Sequence, residues 1–386
     1  MKILVLAHAY PRWRGDVAGA FIHRLNSALL KRSHNITVIT PAEENSWGTE
    51  ELDGVEVMRI RYAPAKWQNV AYKGTMDAAV RRPLGALAVA SLILRQASIV
   101  RGFRRKGVKI VHAHWWIPGG LTQFMSLSGI PHLLTLHGTD IRIMESSLPA
   151  RLVARRVIKG ATAVTTVSNF LAEKVSVLTG ITRSKIKVLP MPTEINGGFE
   201  SAGSGIVVTV GRLTAQKRIH VLLKALQILR HGGRELQLKV IGDGPERDRL
   251  VRQATDLGMQ DSVEFVGEVS PNRIASLLRS CDVFAFPAVD EGYGLAAAEA
   301  LMLGIPVVAA RSGGVVDTVP ERGAGRLVEP DNPDALAQAV EAVLTDSDAR
   351  SQAREVGKSL REKLSADRVA QEYESLYREI TGGEVM

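Results

Sequence analysis

Short apolar runs alternate with longer amphipathic segments along almost the whole chain, and the alternation stops once and then restarts. Residues 2–8, 35–40, 54–60, 108–113, 132–137, 162–167 and 187–190 read as strands. Between them FIHRLNSALLKR (21–32) and NFLAEKVSVLTG (169–180) carry helical periodicity. Strand and helix in turn predict an α/β domain with a parallel sheet. The stretch PMPTEINGGFESAGSG, Pro190 to Gly205, is rich in Pro, Gly and Ser and breaks the pattern as a linker does. Strand runs then return at 206–211, 236–242, 262–267, 281–286, 305–310 and 325–330. The expectation is two Rossmann-like domains, 1–190 and 206–364, joined by a linker at 191–205. The last segment, 365–386, holds an amphipathic helix free to dock on either domain, with the N-terminal domain expected. A length of 386 residues suits two domains. Ligands of parallel sheets bind beyond the carboxyl ends of the strands. The site is therefore expected in a cleft where two sheets face each other.

Charge distinguishes the halves. Residues 1–190 hold 27 of the 49 Lys and Arg but 11 of the 40 Asp and Glu, so the net +9 comes entirely from the first half. Such asymmetry suggests a different partner for each half. The segment Arg81 to Gly107 and RLVARRVIKG (151–160) add apolar helix patterns with basic ends. Two readings stay open. One is peripheral binding to an anionic membrane, giving access to a lipid-linked acceptor. The other is a core-facing helix with solvated basic flanks. The longest apolar stretch, Leu84 to Leu94, stops at Arg95 and is too short to span a bilayer. MKILVLAHAY reads as a first strand rather than a signal peptide. The single Cys281 excludes an internal disulfide and fits a reducing, cytoplasmic setting. A pI near 9.7 raises nucleic acid as a partner, but the acidic second half and the lack of a base-stacking module argue against it.

Four stretches carry chemistry. In DEGYGLAAAEALMLGIPVV, Asp290 to Val308, Glu291 falls in a loop at a strand's carboxyl end, and Glu299 about one turn into the following helix. The helix start between them offers free N–H groups and a positive dipole end. Two carboxylates flanking an anion site suit a ligand with phosphate in the middle and hydroxyls at both ends. In TVGRLTAQKR, a strand ending at Gly211 is followed by Arg212, Lys217 and Arg218, groups that bind phosphate. In LTLHGTD, His137 ends an apolar strand, and Asp140 is placed to cap a helix starting near Ile141. His112 and His114 share one strand face with no Cys or acidic cluster beside them, so no metal site is expected. In AHAYPRWRGDVAGAFIHRL, Gly19 at a helix start gives room for close approach, but GxGxxG is absent.

Together these stretches, with AHWWIPGG, VSNFLAEK, VIGDGPE, VEFVGEV and GRLVEPDNPDALA, resemble the retaining glycosyltransferases of family four. The resemblance runs nearly end to end. It implies the GT-B fold, transfer of a hexosyl group from a nucleotide-diphosphate sugar to a glycan, lipid-linked or small-molecule acceptor, and neither metal nor cofactor. It implies that Glu291 contacts hydroxyls of the transferred sugar and Glu299 the ribose. Arg212 and Lys217 would bind the diphosphate, and His137 would lie beside the sugar. Gly19, Gly292, Tyr293, Gly294 and Leu295 would line the donor, with Val266 and Gly267 near the base. The first loop, VAGAFIH, departs from the family's Gly-Gly-x-Glu. Met191-Pro192-Thr193-Glu194 replaces Asn-Gly-Val-Asp, a change expected to touch the hinge more than the chemistry. Two rival classes remain: a nucleotide-sugar epimerase of the same fold, and a non-catalytic nucleotide-sugar-binding protein.

Overall fold

The computed structural model describes residues 1–43, 46–68, 71–72, 83–197 and 205–382. The chain forms two compact units, Met1–Pro192 with Ala366–Met386, and Thr193–Ser365. Of the linker expected at 191–205, residues 198–204 lie outside the described residues, as do 81 and 82 of the basic apolar segment.

Among the described residues, the first unit is built on eight strands: β1 (Lys2–Leu6), β2 (Asn35–Pro41), β3 (Gly48–Leu52), β4 (Val55–Ile60), β5 (Ile110–His114), β6 (His132–Leu136), β7 (Ala163–Thr166) and β8 (Ile186–Val188). They lie in the order β3-β4-β2-β1-β5-β6-β7-β8. Every pairing is parallel except β3 with β4. The central strands β5 and β6 are buried along their whole length, which is why they read as continuous apolar runs. β3 escaped the sequence reading because GTEEL is polar and almost wholly exposed. A signal was nonetheless there. Asp53 and Gly54 both have positive φ, 50° and 83°, the two-residue hairpin turn that Asp-Gly favours. Glu50 and Glu51 then protect an exposed sheet edge.

The apolar helix is longer than the run that suggested it. It spans Pro83–Phe103, so by length and hydropathy it is long and apolar enough to cross a membrane. This corrects the expectation drawn from Leu84 to Leu94. Arg95 and Arg101 continue the helix, arginine being a good helix former, and their guanidinium groups donate to the carbonyls of Arg61 and Ser126. One face, with Val89, Leu92, Ile93, Val100 and Phe103, is buried in the unit. Leu84, Leu87 and Leu94 are exposed.

The helix Ala366–Thr381 belongs to this first unit. Glu374 accepts from Arg32 at 2.7 Å, Tyr373 donates to the Leu189 carbonyl at 3.3 Å, and the Tyr377 hydroxyl meets His112 Nδ1 at 2.7 Å.

The second unit holds β9 (Ile206–Val210), β10 (Gln237–Ile241), β11 (Val263–Gly267), β12 (Val283–Phe286), β13 (Val307–Ala310) and β14 (Gly325–Val328). All its pairings are parallel, in the order β11-β10-β9-β12-β13-β14. Numbered from β9, this is the doubly wound 3-2-1-4-5-6 arrangement, whose order reverses between β9 and β12. Cys281 is buried at the foot of β12, a small apolar filler whose thiol burial pushes far above its usual range.

Candidate functional site

In the second unit, the loops after β9 and β12 flank the point where strand order reverses, the position at which such sheets open a crevice. The first loop leaves Gly211 with φ of 154°. A Cβ there would lie 2.9 Å from Cε of Lys217, so glycine makes room for that side chain to fold back over the strand end. Lys217 closes the short turn Ala215–Lys217 and places its Nζ 2.9 Å from Oε1 of Glu291. Its ammonium also lies 5.1 Å from the Phe286 ring centroid. Arg212 is exposed on the same loop.

The Glu291 loop is held from both sides. Val289 N–H donates to the Gln216 carbonyl, and the Gln216 amide donates to the Asp290 carbonyl, both at 3.0 Å. From the other side, Gly314 N–H donates to the Glu291 carbonyl at 2.8 Å and Ser312 Oγ accepts from Asp290 N–H at 3.1 Å. A Cβ on Gly313 would stand 2.6 Å from the backbone of Glu291. The Ser312-Gly313-Gly314 turn is thus part of the site's frame, and sequence reading missed it. The double glycine straight after a predicted strand was the available signal.

Gly294, at φ 81°, starts the helix Leu295–Met302. Ala297 and Ala298 donate to its carbonyl. The N–H groups of Gly294 and Leu295 precede those bonds and form the positive end of the helix. Tyr293 is buried, so a ligand would meet it through its backbone. Gly292 and Leu295 are half-buried beside it. Glu299 lies further along the helix, where Thr193 Oγ1 donates to its Oε1 at 2.6 Å. Thr193, within the Met191–Glu194 departure, thus bonds Glu299 directly. Sequence distance hid the contact, since the two residues are joined only by tertiary packing.

Val266 and Gly267 end β11, the edge strand two places from β9. Gly267 accepts from Gly242 N–H at 2.8 Å. Gly242 in turn comes so close to β9 that a Cβ would stand 2.2 Å from the Gly211 carbonyl oxygen. The glycines of VIGDGPE therefore draw the ends of β9, β10 and β11 together.

The first unit carries its own polar cluster at the carboxyl ends of β1, β5 and β6. His137 follows β6, with its ring 4.4 Å from Trp115 and 5.3 Å from Phe21 by centroid. Its Nε2 lies 3.0 Å from Nδ1 of His114. Burial, then the neighbouring His114 and His8, hold the His137 pKa well below 6.5, so the ring is neutral at physiological pH. Asp140 does not act as the simple cap expected. Gly138 is the N-cap, and Asp140 sits inside the helix Thr139–Ser146. Its Oδ1 accepts from the N–H groups of His137, Gly138 and Ile141 at 2.9–3.2 Å. Burial raises this carboxyl to about 6 despite those bonds. Asp140 thereby fixes the backbone on which His137 stands. Gly19, with φ 68°, starts the helix Ala20–Lys31. A Cβ on it would lie 2.4 Å from the Ala9 carbonyl oxygen, so the chain itself already occupies the space that glycine frees.

Known proteins share this organisation. Residues 18–192 match the glycosyl transferase 4-like domain and residues 192–360 the glycosyl transferases group 1. The chain is 28% identical to an uncharacterized glycosyltransferase of Methanocaldococcus jannaschii, over 98% of each chain. Sucrose-phosphate synthase from Thermosynechococcus elongatus superposes with a TM-score of 0.77 at 20% identity, covering 99% of both chains. HepE of Anabaena, solved with UDP-glucose, gives a TM-score of 0.72 at 22% identity, over 97% of this chain and 99% of that one. The fold is the two-domain GT-B arrangement of parallel-sheet α/β units.

Proposed function

From the premise that the chain belongs to the glycosyltransferase family those two models describe, we propose that it moves a hexosyl group from a nucleotide-diphosphate sugar to a hydroxyl of a glycan, glycolipid or small-molecule acceptor. The anomeric configuration is retained and no metal is required, and the product serves cell-surface polysaccharide or glycolipid synthesis. The observation that carries this reading is the Lys217–Glu291 pair at the reversal point of the second sheet. It sets a cation for the diphosphate next to a carboxylate for sugar hydroxyls. Arg212 and the start of the Leu295–Met302 helix add positive potential for the departing diphosphate. Glu299 takes the ribose hydroxyls. In the proposed step the bond from the anomeric carbon to the diphosphate oxygen breaks. The acceptor oxygen bonds that carbon on the same face, and its proton passes to the leaving diphosphate.

Thermal shift with a panel of nucleotide sugars tests donor binding. A donor at a hundred times its Kd stabilises by about 2.7 kcal/mol. That raises the melting temperature by roughly 5–10 °C for a unit of this size. The matching donor should then yield a glycoside with an acceptor hydroxyl. No shift with any nucleotide sugar would sink the proposal.

Glu299→Ala is expected to weaken donor binding about ten- to a hundredfold, the worth of charged hydrogen bonds of about 1.5–3 kcal/mol. Thr193→Val should cost about fivefold, because it removes one hydroxyl that orients Glu299. Calorimetric titration measures both, and a Thr193→Val affinity equal to that of the unaltered chain would remove Thr193 from the site.

The basic first unit fits a peripheral position on the cytoplasmic face of an anionic membrane, where a lipid-linked acceptor lies. Exposed Leu84, Leu87 and Leu94 share their helix with Arg95 and Arg101. Sedimentation with anionic vesicles should recover the protein at low salt and progressively less as salt rises. Equal recovery with neutral vesicles would rule out the electrostatic form of this attachment.

A further inference from the structure

His137 and His114 share one hydrogen between facing nitrogens, and the rest of the pocket determines which ring owns it. His114 is fully buried on β5. Burial first, and then His112 and His8 nearby, keep it neutral. A neutral imidazole has one N–H and one bare nitrogen. Nδ1 of His114 faces Nε2 of His137 at 3.0 Å. Among the described residues, Nε2 of His114 is buried with no hydrogen-bond partner.

Two arrangements satisfy the contact. If His137 donated, His114 would have to carry its hydrogen on Nε2, a buried donor with no acceptor among the described residues. If His114 donates from Nδ1, its Nε2 keeps only a lone pair. Buried N–H groups without partners are the rarer and costlier orphans. The second arrangement therefore holds. His112 does not compete for this hydrogen. Its ring lies 4.1 Å from that of His114 between centroids, tilted by 35°, and both its nitrogens are satisfied by the hydroxyls of Tyr377 and Thr135 at 2.7 Å.

We propose that His114 is a positioning residue that donates from Nδ1 to His137 Nε2 and so holds His137 in the tautomer carrying its hydrogen on Nδ1. His137 then presents a hydrogen-bond donor at Nδ1 and not a bare basic nitrogen. Its role in transfer rests on the function proposed above; the tautomer does not.

The test is long-range proton–nitrogen NMR on the full chain labelled with 15N-histidine, near pH 7.5. The His137 signals are those lost in His137→Ala. The expected result is a protonated Nδ1 and a bare Nε2 for His137. In His114→Phe, which removes the donor, His137 should shift toward the Nε2–H form, and transfer should fall about tenfold. Adding His137→Ala to His114→Phe should cost no more than His137→Ala alone. An Nε2–H tautomer in the unaltered chain overturns the proposal, and so does an unchanged tautomer in His114→Phe. If His114→Phe fails to fold, His114→Asn supplies an amide donor in its place, and the spectrum of the unaltered chain still decides. Full transfer activity in His137→Ala overturns the role of His137 in transfer, a failure separable from that of the tautomer.

Discussion

With Glu291 replaced by alanine, kcat/KM for transfer is expected to fall about a thousandfold while the fold is kept. In the proposed site this carboxylate accepts from sugar hydroxyls, each charged bond worth about 1.5–3 kcal/mol. Two such bonds lost together reach about a thousandfold. The fold has little at stake. Glu291 sits in a loop whose backbone is fixed by Gln216, Ser312 and Gly314, not by its side chain. Its pair with Lys217 leaves the two side chains 21% and 17% exposed, and pairs near the surface contribute only about 1 kcal/mol or less. The melting temperature should therefore move by no more than a few degrees. Lys217→Met is the companion variant. It keeps the stem that packs on Gly211 and removes the charge the diphosphate needs. Turnover of Glu291→Ala equal to that of the unaltered chain would defeat the assignment.

The second large effect is acid lability of the first unit. Burial lowers His8 to about 4, His112 to about 3 and His132 to about 4, against 6.5 in the unfolded chain. His114 and His137 are lowered too. Above pH 6.5 these rings are neutral in both states and stability is insensitive to pH. As pH falls through 6.5 the unfolded chain takes up protons that the folded one refuses. Stability present above 6.5 is then lost toward the folded pKa values. Each of the three rings contributes about 2 kcal/mol of loss between pH 6.5 and 5. Asp140 works the other way. Its raised pKa of about 6 lets the folded state bind a proton first, restoring about 1 kcal/mol between pH 6 and 5. The net loss should lower the melting temperature by roughly 10 °C at pH 5. All five tryptophans, Trp13, Trp47, Trp67, Trp115 and Trp116, lie in the first unit, so tryptophan fluorescence follows that unit alone. A midpoint that stays flat down to pH 5 would contradict the burial of these histidines.

Much of this was legible in the chain because local pattern and fold agree. The runs at 206–211 and 281–286 became β9 and β12, and the residues that follow them became the site loops. Parallel strands buried on both faces announce themselves as apolar runs, and the loops at their ends stand out by contrast. The hairpin strand β3 was missed because an exposed edge needs no apolar face. The helix pattern over Arg81–Gly107 was legible, but the apolar run was taken as only Leu84–Leu94 because Arg95 looks, in sequence, like an interruption.

The sequence by itself determined the two α/β units, the position of Glu291 and Glu299 about a helix start, and the basic character of the first half. Each follows from periodicity, turn residues and charge, which act between near neighbours along the chain. Only tertiary structure decided which groups meet. Lys217 reaches Glu291 across 74 positions, and Thr193 reaches Glu299 across 106. The ring of His114 was brought to His137 by the pairing of β5 with β6. Such contacts depend on strand order and register, which burial of the whole sheet sets and no local stretch of residues encodes.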